Sequence, residues 1–127
     1  MDHSRCVRFL TQNWSRLVVP SLAVTEICHL LADPVRRGSP LLAAGFCAAI
    51  ASDELRVIEV TPHDYRRVSE LISSYASLRL QVVDASVIAL AERFDLREVA
   101  TLDQRDYRVV PPRHLPRGQR LTVLPGD

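Results

Sequence analysis

Lysine is absent from this chain of 127 residues, and all sixteen of its basic residues are arginine. Fifteen acidic residues nearly balance them, so the net charge of +1 gives no argument for nucleic-acid binding by the molecule as a whole. Arginine does suit bidentate contacts with phosphate, and any such binding has to come from a local patch.

Long apolar runs and glycine-rich loops are also missing. No apolar run approaches the ~20 residues that span a bilayer, and Met1 is followed by polar residues instead of the apolar segment of a signal peptide. A cytoplasmic protein without membrane contact is therefore expected. The four glycines form no phosphate-binding loop, which argues against a nucleotide-binding α/β domain.

The three cysteines, Cys6, Cys28 and Cys47, are odd in number and widely spaced. They contain no C-x-x-C pair, and no histidine completes a zinc pattern with them. We expect reduced thiols in the core that behave as small hydrophobic side chains.

The order of predicted elements, α-β-α-α-β-α-α-β-β, indicates an α/β fold with a mostly parallel sheet flanked by helices. The length fits a single domain over residues 1–127. Helices are predicted over Arg5–Gln12, Ser21–Pro34, Leu41–Ala51, Thr61–Tyr75 and Val83–Phe94, and strands over Arg16–Pro20, Leu55–Val60, Val99–Leu102 and Leu121–Leu124.

Local signals refine four of these helices. Ser21 is a suitable N-cap for the second helix, and Thr61, Pro62 and Asp64 together form a start signal for the fourth. The helix at Leu41–Ala51 is nearly all small and apolar, which predicts that it is buried. In the last helix one apolar face is predicted for Val83, Val87, Leu90, Ala91 and Phe94.

Three acidic residues, Glu26, Asp84 and Asp103, each follow shortly after a predicted strand or open a predicted helix. Ligands of parallel α/β sheets bind outside the carboxyl ends of the strands. If the three carboxylates converge there, with Asp106 as a possible fourth, they favour a cation. Oxygen donors alone suit Mg²⁺ or Mn²⁺, and metal-assisted phosphodiester hydrolysis is the chemistry open to such a site.

Each acid also has an ordinary structural interpretation. Glu26 can point to solvent, Asp84 sits at the N-terminal edge of its helix where it can cap backbone N–H groups, and Asp103 and Asp106 are common turn residues. The residues alone leave both interpretations open.

Three stretches of the chain resemble the PIN-domain ribonucleases, specifically the VapC toxins of bacterial toxin–antitoxin pairs. They are VPSLAVTEI at residues 19–27, VDASVIALAERF at residues 83–94 and ATLD at residues 100–103. The resemblance implies a PIN-like three-layer fold and an endoribonuclease that uses Mg²⁺ or Mn²⁺. It assigns catalytic and metal-binding roles to Glu26, Asp84 and Asp103.

The resemblance also implies further residues and partners. Asp106 is expected to be an auxiliary metal ligand, and Thr101 matches the residue that helps to order the site. Independently of the resemblance, Arg105 or Arg108 beside that site is expected to meet the phosphates of RNA; the alternative is that both are ordinary surface arginines. Family members resembling this chain usually form homodimers and are silenced by a small VapB-type antitoxin.

The chain departs from the family at its beginning. Family chains open with a hydrophobic strand that ends in the first catalytic aspartate, whereas this sequence begins beyond that strand, and Asp2 does not match the acid. We interpret the sequence as an N-terminally incomplete domain whose Met1 is an internal or misassigned start. Two alternatives remain: a catalytically inactive PIN-like module that binds an antitoxin or RNA, and an unrelated α/β domain.

Overall fold

The computed structural model describes Arg8, Gln12, residues 17–100 and residues 110–124. The chain forms two compact units, residues 1–59 and residues 60–127. The helix predicted over Arg5–Gln12 lies outside the described residues, except that Arg8 and Gln12 are themselves helical. Within the described ranges, no helix is both long and apolar enough to cross a membrane.

The first unit contains two parallel strands, β1 (Val18–Pro20) and β2 (Arg56–Ile58). Parallel strands cannot be joined by a tight hairpin. The chain therefore passes from one to the other through two helices, α1 (Val24–Ala32) and α2 (Pro40–Ala51), which pack against each other. The register pairs Val18, Val19 and Pro20 with Arg56, Val57 and Ile58, so the carboxyl ends of both strands lie at the same edge.

The entry into α1 differs from the predicted one. Ser21–Ala23 forms a 3₁₀ turn directly after β1, and α1 begins only at Val24. Ala23 occupies the N-cap position, and no side chain caps the helix there, so the prediction that Ser21 is the cap is wrong. A 3₁₀ turn is a common way to start an α-helix, and here it takes the chain out of the strand without a loop.

Helix α2 is more exposed than its composition suggested. Phe46 and Ala49 are its only buried residues, and Leu41 is 81% exposed, so the prediction of a buried helix is wrong. Because nearly all of its side chains are small and apolar, no polar face marks the outer side. The sequence pattern therefore could not distinguish a fully buried helix from one that packs along a single side.

The second unit contains α3 (Pro62–Ser74), a 3₁₀ turn at Ala76–Leu78, α4 (Val82–Phe94), and strands β3 (Glu98–Ala100) and β4 (Thr122–Leu124). The two strands are parallel and pair in register from their first residues. The start of α3 matches the prediction: Thr61 is the N-cap, Pro62 is the first helical residue, and Asp64 completes a capping box.

Helix α4 provides much of the core of the second unit. A cluster of buried side chains joins α4 to α3, β3 and the segment before β4, and it comprises Val68, Leu71, Leu80, Ala85, Ile88, Ala89, Ala91, Val99, Val110, Leu115 and Leu121. The predicted apolar face is confirmed for Leu90 and Ala91. It is wrong for Phe94, which is 44% exposed because α4 ends there and the chain turns at Asp95 with a positive φ of 54°.

The predicted α/β class and the parallel pairing of strands are confirmed. Within the described residues each predicted helix and strand is present, with ends shifted by a few residues. Two further predictions concern both units together and stay predictions. They are a single sheet stacked between layers of helices and a single domain over residues 1–127.

The turn between α1 and α2 depends on Gly38. The Gly38 N–H donates to the Asp33 carbonyl at 2.8 Å, and the Ser39 N–H donates to the Leu31 carbonyl at 2.9 Å. These hydrogen bonds hold the Gly38 backbone close to the carbonyl groups of Leu31 and Asp33. A Cβ atom added at Gly38 would therefore overlap the Leu31 carbonyl. Backbone atoms cannot move aside as a flexible side chain can, and only glycine fits.

Replacing Gly38 with alanine is expected to lower the free energy of unfolding by about 2 kcal/mol or more, because the turn must open to admit the Cβ. The matched control is Gly45→Ala in α2, where an added Cβ would meet no described atom within 4 Å other than its chain neighbours and the backbone of its own helix. It should raise stability by roughly 0.5–1 kcal/mol through helix propensity. Urea unfolding of both variants measures the difference, and equal stabilities would contradict the role given to Gly38.

Candidate functional site

Glu26 lies near the carboxyl end of a parallel strand. It is the third residue of α1, in the first helical turn, and it is exposed. Because β1 ends at Pro20 and the 3₁₀ turn leads directly into the helix, few residues separate this carboxylate from the end of the strand. This placement agrees with the predicted one and is where ligands of α/β proteins bind.

Asp84 occupies the same position in its own helix. It is the third residue of α4, and it is half-buried. The helix begins earlier than predicted, at Val82, with Gln81 as an N-cap residue that makes no capping hydrogen bond. Asp84 is therefore not the N-cap, but its carboxylate lies in the first turn, where the partial positive charge of the helix end favours an anion.

A third acid at this helical position, Asp64 in α3, has a structural role. Its Oδ2 atom accepts hydrogen bonds from the Thr61 backbone N–H at 2.9 Å and from the Thr61 hydroxyl at 3.0 Å. It is only 1% exposed. The third helical residue therefore takes part in a cap at Asp64, whereas at Glu26 it is exposed to solvent.

Five of the predicted site residues lie outside the described residues: Thr101, Asp103, Arg105, Asp106 and Arg108. They follow β3, which ends at Ala100, so in sequence they come directly after the carboxyl end of a parallel strand. Glu26 belongs to the first unit and Asp84 to the second. The roles of all seven residues stay predictions.

The donor atoms of Glu26 and Asp84 fit a hard divalent cation. Both offer carboxylate oxygen, which is the ligand that Mg²⁺ takes and that Mn²⁺ accepts. Within the part of the chain that the structure describes, no group of three histidine, cysteine, aspartate or glutamate side chains is close enough to hold a metal. The predicted set includes Asp103, which lies beyond that part.

An ion-pair network that the sequence did not reveal joins α3 to α4. The Arg67 guanidinium donates to both carboxylate oxygens of Glu92, with Nε–Oε1 at 2.8 Å and Nη2–Oε2 at 3.0 Å. The Arg113 backbone N–H also donates to Glu92 Oε2 at 2.7 Å, and the Arg113 guanidinium reaches Glu70. The hydrogen bonds to Glu92 raise the pKa of Arg67 and keep it charged.

This network lines an open pocket of about 340 Å³ whose other wall includes His63, Asp64, Arg93 and His114. Its carboxylates are already neutralised: Glu92 by Arg67, Glu70 by Arg113 and Asp64 by Arg93. The network holds two helices and the segment before β4 together. We therefore assign it to stability.

Asp64 links the cap of α3 to α4. Arg93 Nε donates to Asp64 Oδ1 at 3.0 Å, and Arg93 Nη2 lies 3.0 Å from Asp64 Oδ2. Burial by itself raises the pKa of Asp64, but the hydrogen bonds from Thr61 and Arg93 and the charge of Arg93 outweigh it. The net pKa lies below the usual aspartate value. Asp64 is therefore ionised at neutral pH.

Family comparison gives two findings. The model of the family described as PIN domain matches residues 2–111. Ribonuclease VapC26 of Mycobacterium tuberculosis (strain ATCC 25618 / H37Rv) is 24% identical to this chain over 124 residues, which cover 98% of this chain and 87% of that protein.

Asp64→Asn should lower the free energy of unfolding by about 1–2 kcal/mol at neutral pH, because the charged hydrogen bonds to Arg93 are lost. A group whose folded pKa is lowered stabilises the protein above its unfolded pKa and stops doing so as the pH falls through the folded value. The difference from wild type should therefore shrink below pH ~3.9. Urea unfolding at neutral and acidic pH measures it, and a difference independent of pH would contradict the role of the charge. Asp53→Asn, at an exposed aspartate, is the control.

Proposed function

This chain belongs to the PIN domain family, and from that membership we propose that it is a metal-dependent endoribonuclease, the toxin of a toxin–antitoxin pair. The observation that carries the proposal is the family match over residues 2–111. The likeness to a protein named as a VapC ribonuclease supports RNA as the substrate.

In this proposal Glu26, Asp84 and Asp103 hold Mg²⁺ or Mn²⁺, with Asp106 as a further carboxylate ligand. The positions of Glu26 and Asp84 in the first turns of α1 and α4 support it, because helix N-termini tolerate clustered negative charge better than other sites do. When bound, the cation supplies Lewis acidity and a lowered pKa of water for phosphodiester hydrolysis.

Residues after β3 are proposed to position the RNA. Arg105 and Arg108 bind its phosphates, since a guanidinium can donate two parallel hydrogen bonds to a phosphate. Thr101 directly follows β3 and orders the carboxylates of the site. The cleavage itself depends on the acids, so changes at the two arginines should weaken RNA binding more than turnover.

The proposed biological setting follows from the resemblance. The chain acts in the cytoplasm as a single PIN domain over residues 1–127, and it forms a homodimer. A VapB-type antitoxin silences it by reaching the acidic site. We expect the antitoxin segment that contacts the arginines beside that site to carry the opposite charge.

Asp84→Asn is expected to reduce Mn²⁺-dependent cleavage of RNA at least ~100-fold, because a neutral amide is a poorer metal ligand than a carboxylate. Cleavage of a structured RNA by the purified chain, followed on a denaturing gel with and without EDTA, measures this. The far-ultraviolet circular dichroism melt of each protein shows whether it is folded.

The matched control is Asp95→Asn, which makes the same chemical change at the other end of α4. Asp95 is exposed and has a positive φ that asparagine also adopts. This variant should cleave as wild type does. Equal, EDTA-sensitive cleavage by Asp84→Asn and wild type would refute the assignment of Asp84, whereas a folded wild-type chain that binds RNA without cutting it would favour an inactive PIN-like module.

A further inference from the structure

Two cysteines that are far apart in sequence meet between α1 and α2. The Cys28 Sγ atom in α1 lies 3.8 Å from the Cys47 Sγ atom in α2. Cys47 is exposed and Cys28 is half-buried. Both thiols are free, as expected, but the expectation of a core position is wrong for Cys47, which lies at the surface of the first unit.

We propose that Cys28 and Cys47 form a site of reversible disulfide modification. A disulfide requires the two sulfur atoms to approach to ~2.05 Å, a movement of less than ~2 Å from their present separation. Both thiols sit on helices that already pack against each other, so the two sulfur atoms are held close together before any bond forms. The two helices are also tied by the Gly38 turn, which limits their separation.

The chemistry balances with a peroxide as oxidant. The Cys47 thiol loses its proton, and the resulting thiolate attacks one oxygen of hydrogen peroxide. The O–O bond breaks, Cys47 becomes a sulfenic acid, and the departing hydroxide takes up a proton to leave as water. The Cys28 thiol then attacks the sulfur of this sulfenic acid, which forms the S–S bond and releases a second water. Two thiols are oxidised by two electrons, and one hydrogen peroxide is reduced to two waters. A dithiol reductant reverses the modification.

The cross-link leaves Glu26 accessible. Glu26 comes two residues before Cys28 in α1, and residues two apart point about 200° from each other around a helix. The disulfide therefore fixes α1 against α2 on the face away from Glu26. Only the importance of keeping Glu26 accessible rests on the proposed function. The thiol chemistry itself does not depend on whether the chain cuts RNA.

The test treats the full chain with hydrogen peroxide, counts free thiols, and maps the peptides without reduction by mass spectrometry. We expect the loss of two of the three thiols, a peptide pair joined through Cys28 and Cys47, and full recovery after dithiothreitol. Cys6→Ser should leave this pattern intact. Cys28→Ser should instead accumulate the sulfinic form at Cys47, because no second thiol captures the sulfenic acid.

Three results would overturn the proposal. They are a disulfide that involves Cys6, a cross-link between two copies of the chain, and a wild-type protein in which Cys47 is over-oxidised while Cys28 stays reduced. The peptide map of the wild-type chain decides among them without any variant, so a loss of folding in a serine variant cannot obscure the answer.

Discussion

Parallel strand pairing determines how the described strands of this protein can be connected. The paired strands β1 and β2 point the same way, as do β3 and β4, so neither pair can be closed by a short hairpin. In the first unit this requires the crossover through α1 and α2, and it sets the carboxyl ends of β1 and β2 at one edge. The helix that leaves this edge carries Glu26 in its first turn. The position of Glu26 at this edge is thus a consequence of strand direction.

Acids at the third helical residue show how one local position serves different roles. The buried Asp64 carboxylate accepts hydrogen bonds from Thr61 and Arg93, and these bonds keep it ionised. Glu26 follows a 3₁₀ turn that leaves no cap for it to complete, and it stays exposed. Asp84 is half-buried behind an N-cap glutamine that makes no capping bond. Helix charge favours a carboxylate at all three, and at Asp64 the carboxylate also accepts hydrogen bonds from Thr61 and Arg93.

Much of the fold could be predicted because its signals are local. Thr61, Pro62 and Asp64 lie next to one another, and their cap is present as expected. The end of β1 at Pro20 matches the prediction, but the prediction at Ser21 is wrong because a 3₁₀ turn over Ser21–Ala23 precedes α1 and moves the N-cap position to Ala23. Features that depend on tertiary contacts gave no sequence signal: Arg67 meets Glu92 across 25 positions, and Cys28 meets Cys47 across 19. The candidate acids are indicated by their positions after strands and at helix starts, but those positions also fit caps and turns, and only the resemblance assigns the acids a catalytic role.

We propose that Glu26, Asp84 and Asp103 are the ligands of one divalent cation. An anomalous difference map from crystals of the chain soaked in Mn²⁺ tests this proposal. We expect an anomalous peak within coordination distance of carboxylate oxygens from all three residues, and its loss in crystals of Asp84→Asn. An ordered trio of these carboxylates with no peak among them, or a peak bound by other residues, would contradict it.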